Sequence, residues 1–259
     1  MKIKALVCFL SLWVYGMDVY AQKEENPKLT AQKDYMFHKQ MVGGVKLATT
    51  GLDFYLQYGI IKNIYVTHLF TLEYEWHIDY RDKKTKAQPY YTQTGRDYYF
   101  GVQNRFHVIR FSYGFERALA DKAAKNGVRV SWEGFIGGAM GLIKPYYLNL
   151  DYPGTDGKPV DILSERYSAS NASVFLNQNT IDEASPIYRG LNQISPVFGG
   201  FGRTGLNFDF GSRDAFVKAI EAGVSLDVFY KKIPIYVNDN SNHFMFLGFY
   251  LAFHLGKRW

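Results

Sequence analysis

From His243 to Trp259 the chain alternates between two unlike faces without a break. Met245, Leu247, Phe249, Leu251, Phe253, Leu255, Lys257 and Trp259 share one parity; Gly248, Tyr250, Ala252, His254, Gly256 and Arg258 share the other. Successive side chains of an extended strand point to opposite faces, so this stretch reads as one strand with a greasy side and a mixed side. An apolar face of that length suits the wall of a barrel whose outside meets hydrocarbon. Phe249, Phe253 and Trp259 then face lipid.

The clearest alternation lies upstream. Ile64, Val66, His68, Phe70, Leu72, Tyr74, Trp76, Ile78 and Tyr80 fall on one face, and Tyr65, Thr67, Leu69, Thr71, Glu73, Glu75, His77 and Asp79 on the other. Immersing the second face in hydrocarbon would cost about 2 kcal/mol or more per charge. Phe70, Leu72 and Trp76 are therefore assigned to lipid, and Glu73, Glu75, His77 and Asp79 to the interior. The same logic sends Val128, Val130, Trp132 and Ile136 outward and Arg129, Ser131 and Glu133 inward. It pairs outward Ile109 and Phe111 with inward Arg110, outward Leu206 and Phe208 with inward Arg203 and Asp209, and outward Val224 and Leu226 with inward Glu221 and Asp227.

Eight segments carry this character: 42–49, 51–61, 64–81, 98–115, 127–149, 198–210, 215–230 and 244–258. They predict an all-β, antiparallel, up-and-down transmembrane β-barrel of eight strands, or ten if the longest connection holds a further hairpin. With both ends in the periplasm, Lys62-Asn63, Glu116–Asn126 and Gly211–Asp214 are the inner turns. Thr49–Gly51, Asp82–Asp97, Asp151–Phe198 and Lys231–His243 are the extracellular connections. Short turns inside and long loops outside are the rule for such barrels; the first hairpin and Glu116–Asn126 depart from it. Alternation also fits a soluble barrel of reversed polarity. Large aromatics on the apolar face and an export signal favour the membrane.

That signal is Met1-Lys-Ile-Lys4, an apolar run from Ala5 to Tyr15, and a small-residue site at Val19-Tyr20-Ala21. The expected organisation is a signal peptide at 1–21, a polar periplasmic segment at 22–40, and a barrel over 41–259 with its large extracellular loop at 151–198. Cys8, the single cysteine, leaves with the signal, so neither a disulfide nor a thiol nucleophile remains. The 21 Tyr and 20 Phe supply aromatic girdles at the two membrane interfaces. A formal charge of +6 spread without a basic block excludes nucleic acid as a partner; the partners expected are outer-membrane lipid and protein.

The inward set is Glu73, Glu75, His77, Asp79, Arg110, Arg129, Glu133, Arg203, Asp209, Glu221 and Asp227, with Tyr250 and His254. An eight-stranded barrel is filled by its own side chains, and buried charges must be paired, so these residues are expected to form an ionic network that plugs the lumen. No catalytic residue, cofactor or metal is assigned. His77, about 7 Å along the strand from Glu75 and from Asp79, and His243, near Asp239 and Ser241, are the nearest approaches to a hydrolytic base. Neither Gly-x-Ser-x-Gly nor His-Glu-x-x-His accompanies them. A small pore is the remaining alternative. The connection from Asp151 to Phe198 is long for a structureless loop, and its Ile162, Leu163, Tyr167, Phe175, Ile181 and Leu191 suit a packed cap or a recognition surface.

Gly43-Gly-Val-Lys-Leu-Ala-Thr-Thr-Gly51, Ile143-Lys-Pro-Tyr-Tyr-Leu148 and the closing Gly256-Lys-Arg-Trp259 resemble outer-membrane β-barrel proteins of the Bacteroidota, broadly PorT-like. The resemblance covers essentially the whole mature chain and is specific to an envelope lineage rather than to an activity. It implies an accessory part of an outer-membrane machine, in protein export or barrel assembly, and carries over no catalytic residue.

Overall fold

The computed structural model describes residues 37–79, 82, 84–87, 95–121, 127–153, 159–211 and 215–259. The expected signal peptide, and the periplasmic segment as far as residue 36, lie outside them. In chain order the strands are β1 (Lys39–Ala48), β2 (Gly51–Ile61), β3 (Val66–His77), β4 (Lys84–Thr85), β5 (Tyr98–Tyr99), β6 (Asn104–Ala120), β7 (Arg129–Pro145), β8 (Tyr147–Pro153), β9 (Pro159–Arg166), β10 (Ile181–Ala184), β11 (Ser195–Asp209), β12 (Phe216–Phe229) and β13 (Met245–Arg258). Eight of them close a barrel in the order β1-β13-β12-β11-β7-β6-β3-β2, every neighbouring pair antiparallel. β1 and β13 form the closing seam from Gln40–Arg258 to Ala48–Tyr250. His38 and Lys39 donate to the Trp259 carbonyl there, each at 2.9 Å.

The polarity is inside-out. Phe54, Phe70, Leu72, Trp76, Phe111, Trp132, Phe249, Phe253 and Trp259 are exposed on the outer face, while Lys46, Asp53, Glu73, Glu75, Arg110, Arg203, Glu221 and Asp227 are buried. Along β13 the apolar positions from Met245 to Leu255 cover about 34 Å of strand, and at a tilt near 40° they make a band about 25 Å tall. That is the height of a hydrocarbon core. A soluble barrel would show the opposite arrangement, since exposed apolar patches of this extent are not left to water.

The interior fits because bulky inward residues face glycine across the ladder. Tyr55 lies opposite Gly44, Phe135 opposite Gly114, and Tyr250 opposite Gly223. A Cβ on Gly44 would stand 2.2 Å from the Tyr55 hydroxyl, which here donates to the Phe253 carbonyl at 3.0 Å.

Several strand limits differ from expectation. The third strand starts at Val66 because the Asn63 side chain accepts from the amides of Tyr65 and Val66, at 3.0 and 2.7 Å, and turns the chain; it stops at His77, so Asp79 sits past its end. The fourth wall strand runs from Asn104 to Ala120 rather than 98–115, which shortens the inner turn, while Tyr98–Tyr99 pairs with Lys84–Thr85 outside the wall. The expected strand 127–149 is two elements: β7 ends at Pro145, which has no amide to donate, and β8 leaves the wall. The first strand begins at Lys39, inside the expected periplasmic segment. The large loop does contain a hairpin, but it joins a separate three-stranded sheet, β10-β8-β9, so the ten-strand alternative does not hold.

Candidate functional site

Two places concentrate chemistry, the lumen and the extracellular cap. In the upper-middle lumen, β1, β2, β3, β6, β11 and β12 bring Lys46, Asp53, Glu73, Glu75, Arg110, Arg203 and Asp227 into one buried cluster. Lys46 Nζ lies 2.7 Å from both Asp53 and Glu73. Arg110 grips Asp227 with two parallel bonds, Nε to Oδ1 and Nη2 to Oδ2, each 2.8 Å, and also donates to Glu75. Such forked pairs are the strong form of a carboxylate–guanidinium contact. Arg203 Nη1 stands 2.9 Å from Glu73 Oε1, and its guanidinium carbon lies 4.0 Å from the centre of the Phe135 ring. One step down, Glu221 accepts from the Tyr250 hydroxyl at 2.5 Å and lies 3.2 Å from His254 Nε2; Glu133 accepts from Asn207 at 2.5 Å.

The inward set is thus partly assembled and partly dispersed. Glu73, Glu75, His77, Arg110, Arg203 and Asp227 meet. Arg129 and Asp209 stay at the periplasmic end: Arg129 donates to the Ile64 carbonyl at 3.0 Å, and Asp209 pairs with Arg258 at 2.9 Å. Asp79 sits at the outer rim. Two members escaped the sequence-based set, Lys46 and Asp53, which face each other across the β1–β2 ladder. Their signal was available: Lys46 alternates with Val45 and Leu47, and Asp53 with Leu52 and Phe54.

Above this cluster the lumen is closed by greasy side chains. Phe106, Phe201, Phe229, Ile233, Ile235 and Tyr236 form one buried core, with Phe246 against it. His77 lies at its lower edge. Its Nδ1 is 3.1 Å from Glu75 and its ring meets Phe106 and Phe246 edge-on, at 5.6 and 5.1 Å. Glu75 is therefore the carboxylate neighbour that the strand spacing allowed, but no hydroxyl is hydrogen-bonded to His77 among the described residues. His243 is exposed, and Asp239 pairs with Lys232 at 3.2 Å rather than with it. Among the described residues no group of three or more His, Cys, Asp or Glu is placed to hold a metal ion.

The cap is built on ordinary principles, apolar inside and polar outside. Leu148, Leu150, Phe175, Ile181 and Tyr98 form its core, with Tyr146 touching both this core and the one below. A short helix, α1 (Ala172–Phe175), drops Phe175 into it. Partly buried polar side chains knit the cap: Ser185 donates to Asn149 at 2.7 Å, Ser164 donates to the same oxygen, and Asn171 donates to Glu165 at 2.7 Å. Arg96 reaches across to Glu183 at 2.5 Å and to the Ala184 carbonyl at 2.8 Å. Burial pushes the Asp151 carboxyl up, and the Asp182 carboxylate adds to the effect. The Lys84 ammonium, 3.2 Å away, holds Asp97 below its usual range. The cap is fastened to the barrel by Asp82, which accepts from Arg105 at 3.1 Å and from the Tyr236 hydroxyl at 2.7 Å, and by Arg105 lying over the Tyr99 ring at 3.9 Å.

No protein-family model and no curated protein matches this chain. Among solved structures, the chain is similar to Ail, the attachment invasion locus protein of Yersinia pestis, at 10% identity over 86% of this chain and 100% of that one, with a TM-score of 0.42. It is similar to Neisserial surface protein A at 8% identity over 86% of this chain and 97% of that one, TM-score 0.40. The N-terminal β-barrel domain of Pseudomonas aeruginosa OprF matches at 11% identity over 83% of this chain and 96% of that one, TM-score 0.32. At these identities the similarities bear on neither partner nor activity.

Proposed function

We propose that this chain is an integral outer-membrane β-barrel protein, non-enzymatic, that presents its extracellular cap to a protein partner as an accessory subunit of an envelope complex in export or barrel assembly. The observation that carries it is the pairing of a charge-filled, closed cylinder with a separately cored cap. The cylinder's apolar exterior matches a bilayer in height. Its interior is occupied by paired charges below and an aromatic stopper above, so the wall supplies anchorage. The cap has its own hydrophobic core, and a folded element built at that cost in ordered residues is suited to recognition. The export signal expected at 1–21 and the resemblance to PorT-like barrels of the Bacteroidota favour the same placement.

The test is gentle detergent extraction of the full-length protein carrying an affinity tag at Ser170, an exposed cap position, followed by mass spectrometry of what co-purifies. Specific outer-membrane proteins should be enriched over an untagged control and lost when residues 159–184 are replaced by a short linker that leaves the barrel heat-modifiable on a denaturing gel. Recovery as an isolated chain, with neighbouring complexes unchanged in a deletion strain, would refute the accessory role.

A further inference from the structure

Lys144 occupies an outward position on β7, two residues above Leu142 and opposite in parity to the inward Ile143. By the rule governing the rest of the wall it should be exposed, yet only 8% of it is. The reason is a segment of the cap that folds down over the outside of the barrel. Lys144 Nζ donates to the Ile187 carbonyl. Ser185 donates its amide to the Tyr147 carbonyl at 3.1 Å, and the Tyr147 hydroxyl donates to Gln193 at 2.9 Å. Gly190 has a φ of +81°, and a Cβ there would lie 3.0 Å from the Pro145 carbonyl. The segment from Pro186 to Gln193 thus lies against the extracellular end of β7 and the start of β8, with the Ile187 carbonyl turned toward Lys144 and its remaining turn closed by its own backbone bonds.

What it turns away from the protein is apolar. Ile187, Tyr188 and Leu191 are 79, 67 and 55% exposed, more than most wall residues, and Arg189 is exposed among them. Phe198, on the strand that this segment enters, continues the same strip downward into the lipid-facing belt. A cap surface meant for water would not cluster three large apolar side chains beside that belt. The mixture of aliphatic, Tyr and Arg at the rim is the chemistry of a membrane interface, where apolar tips enter the acyl boundary and a guanidinium reaches phosphate.

We propose that Pro186–Gln193 is a lipid-binding foot: Ile187, Tyr188 and Leu191 enter the outer leaflet and Arg189 binds the phosphate of an anionic lipid headgroup, holding the cap in a fixed attitude above the barrel. This rests on the membrane reading given above and adds a specific lipid contact to it. The experiment uses full-length protein with Cys8→Ser, nitroxide-labelled in turn at Ile187→Cys, Leu191→Cys, Phe249→Cys on the wall and Asp239→Cys in an exposed loop. Each is reconstituted in nanodiscs of phosphatidylcholine alone or with equimolar phosphatidylglycerol. Relaxation by oxygen, which partitions into lipid, is compared with that by a water-soluble nickel chelate.

Labels at 187 and 191 should resemble Phe249→Cys, with several-fold greater oxygen than nickel accessibility, and phosphatidylglycerol should lower nickel accessibility further. Arg189→Ser, in the 191-labelled protein, should abolish that last difference. Labels at 187 and 191 that behave like Asp239→Cys, beside a lipid-exposed Phe249→Cys, overturn the foot and leave the barrel's membrane placement intact. A water-exposed Phe249→Cys overturns the membrane placement itself. Shielding of 187 and 191 from both reagents would mean a protein surface covers them and overturns lipid as the occupant. An unchanged phosphatidylglycerol effect in Arg189→Ser overturns the contact between Arg189 and an anionic headgroup.

Discussion

The barrel wall and the cap obey opposite rules of burial. In the wall, Arg110, Glu73 and Asp227 are inside and Leu72, Phe111 and Phe249 outside; in the cap, Leu148, Leu150 and Phe175 are inside. The changeover occupies a few residues. Ile143 is still a lumen residue, Lys144 an outward one covered by the cap, and Tyr146 touches both cores. Leu and Phe are exposed in one region and buried in the other, so what differs is the medium offered to each face. Burial is set by which surroundings each face is offered.

That contrast can be broken from either end. The largest effect is expected from Arg110→Ala, which strands Asp227 and Glu75 in the lumen without their guanidinium. Removing one member of a buried ion cluster typically costs about 3–5 kcal/mol. Urea unfolding in lipid vesicles should show that loss, and a shift under about 1 kcal/mol would mean the network is dispensable. Next, Leu72→Arg places a charge on the lipid face at mid-strand and should cost about 2–4 kcal/mol in the same assay. The same change at a cap surface position such as Leu163, which is exposed, should be near neutral. Equal penalties at the two sites would contradict a hydrocarbon exterior. The smallest effect is Ile181→Val in the cap core, about 0.5–1.5 kcal/mol. It should appear as faster hydrogen exchange in β8–β10 with wall amides unchanged; a uniform increase over the barrel would show that the two cores unfold as one.

How far the sequence discloses this molecule follows from the same contrast. Where one face meets lipid and the other a packed lumen, every residue reports its side. The parity of β3, β6, β11, β12 and β13 is therefore legible from 66 to 258, and the ionic character of the lumen with it. Lys46 and Asp53 were readable by that rule, but each is the sole charge in its strand's inward face near a tight turn and so looks like turn chemistry. Strand ends are less legible because they depend on single features, such as the Asn63 side chain taking two amides or Pro145 closing the β7 ladder. The cap has no parity to read. Its sheet pairs residues distant in sequence, Leu148 with Ala184 and Tyr147 with Arg166, and the aliphatic residues between 162 and 194 showed only that something packs. Which of them pack inward and which form the exposed Ile187–Leu191 tip depends on where the hairpin lands. The neighbours of His77 were similarly out of reach. Glu75 is local, while Phe106 and Phe246 come from strands on either side of the mouth.

The seam between β1 and β13 has a consequence for how such a molecule comes into being. Gln40 faces Gly59 of β2 on one side and Arg258 of β13 on the other, so while the chain is being delivered its earliest described strand must wait, with its seam-side row of amides and carbonyls unmated, for the latest one. Those groups cannot be left bare in oil, and loop closure over so long a span is slow. The growing sheet must therefore be chaperoned or kept in water until both margins are in hand, and zipping them together is the step that commits the cylinder to its bilayer.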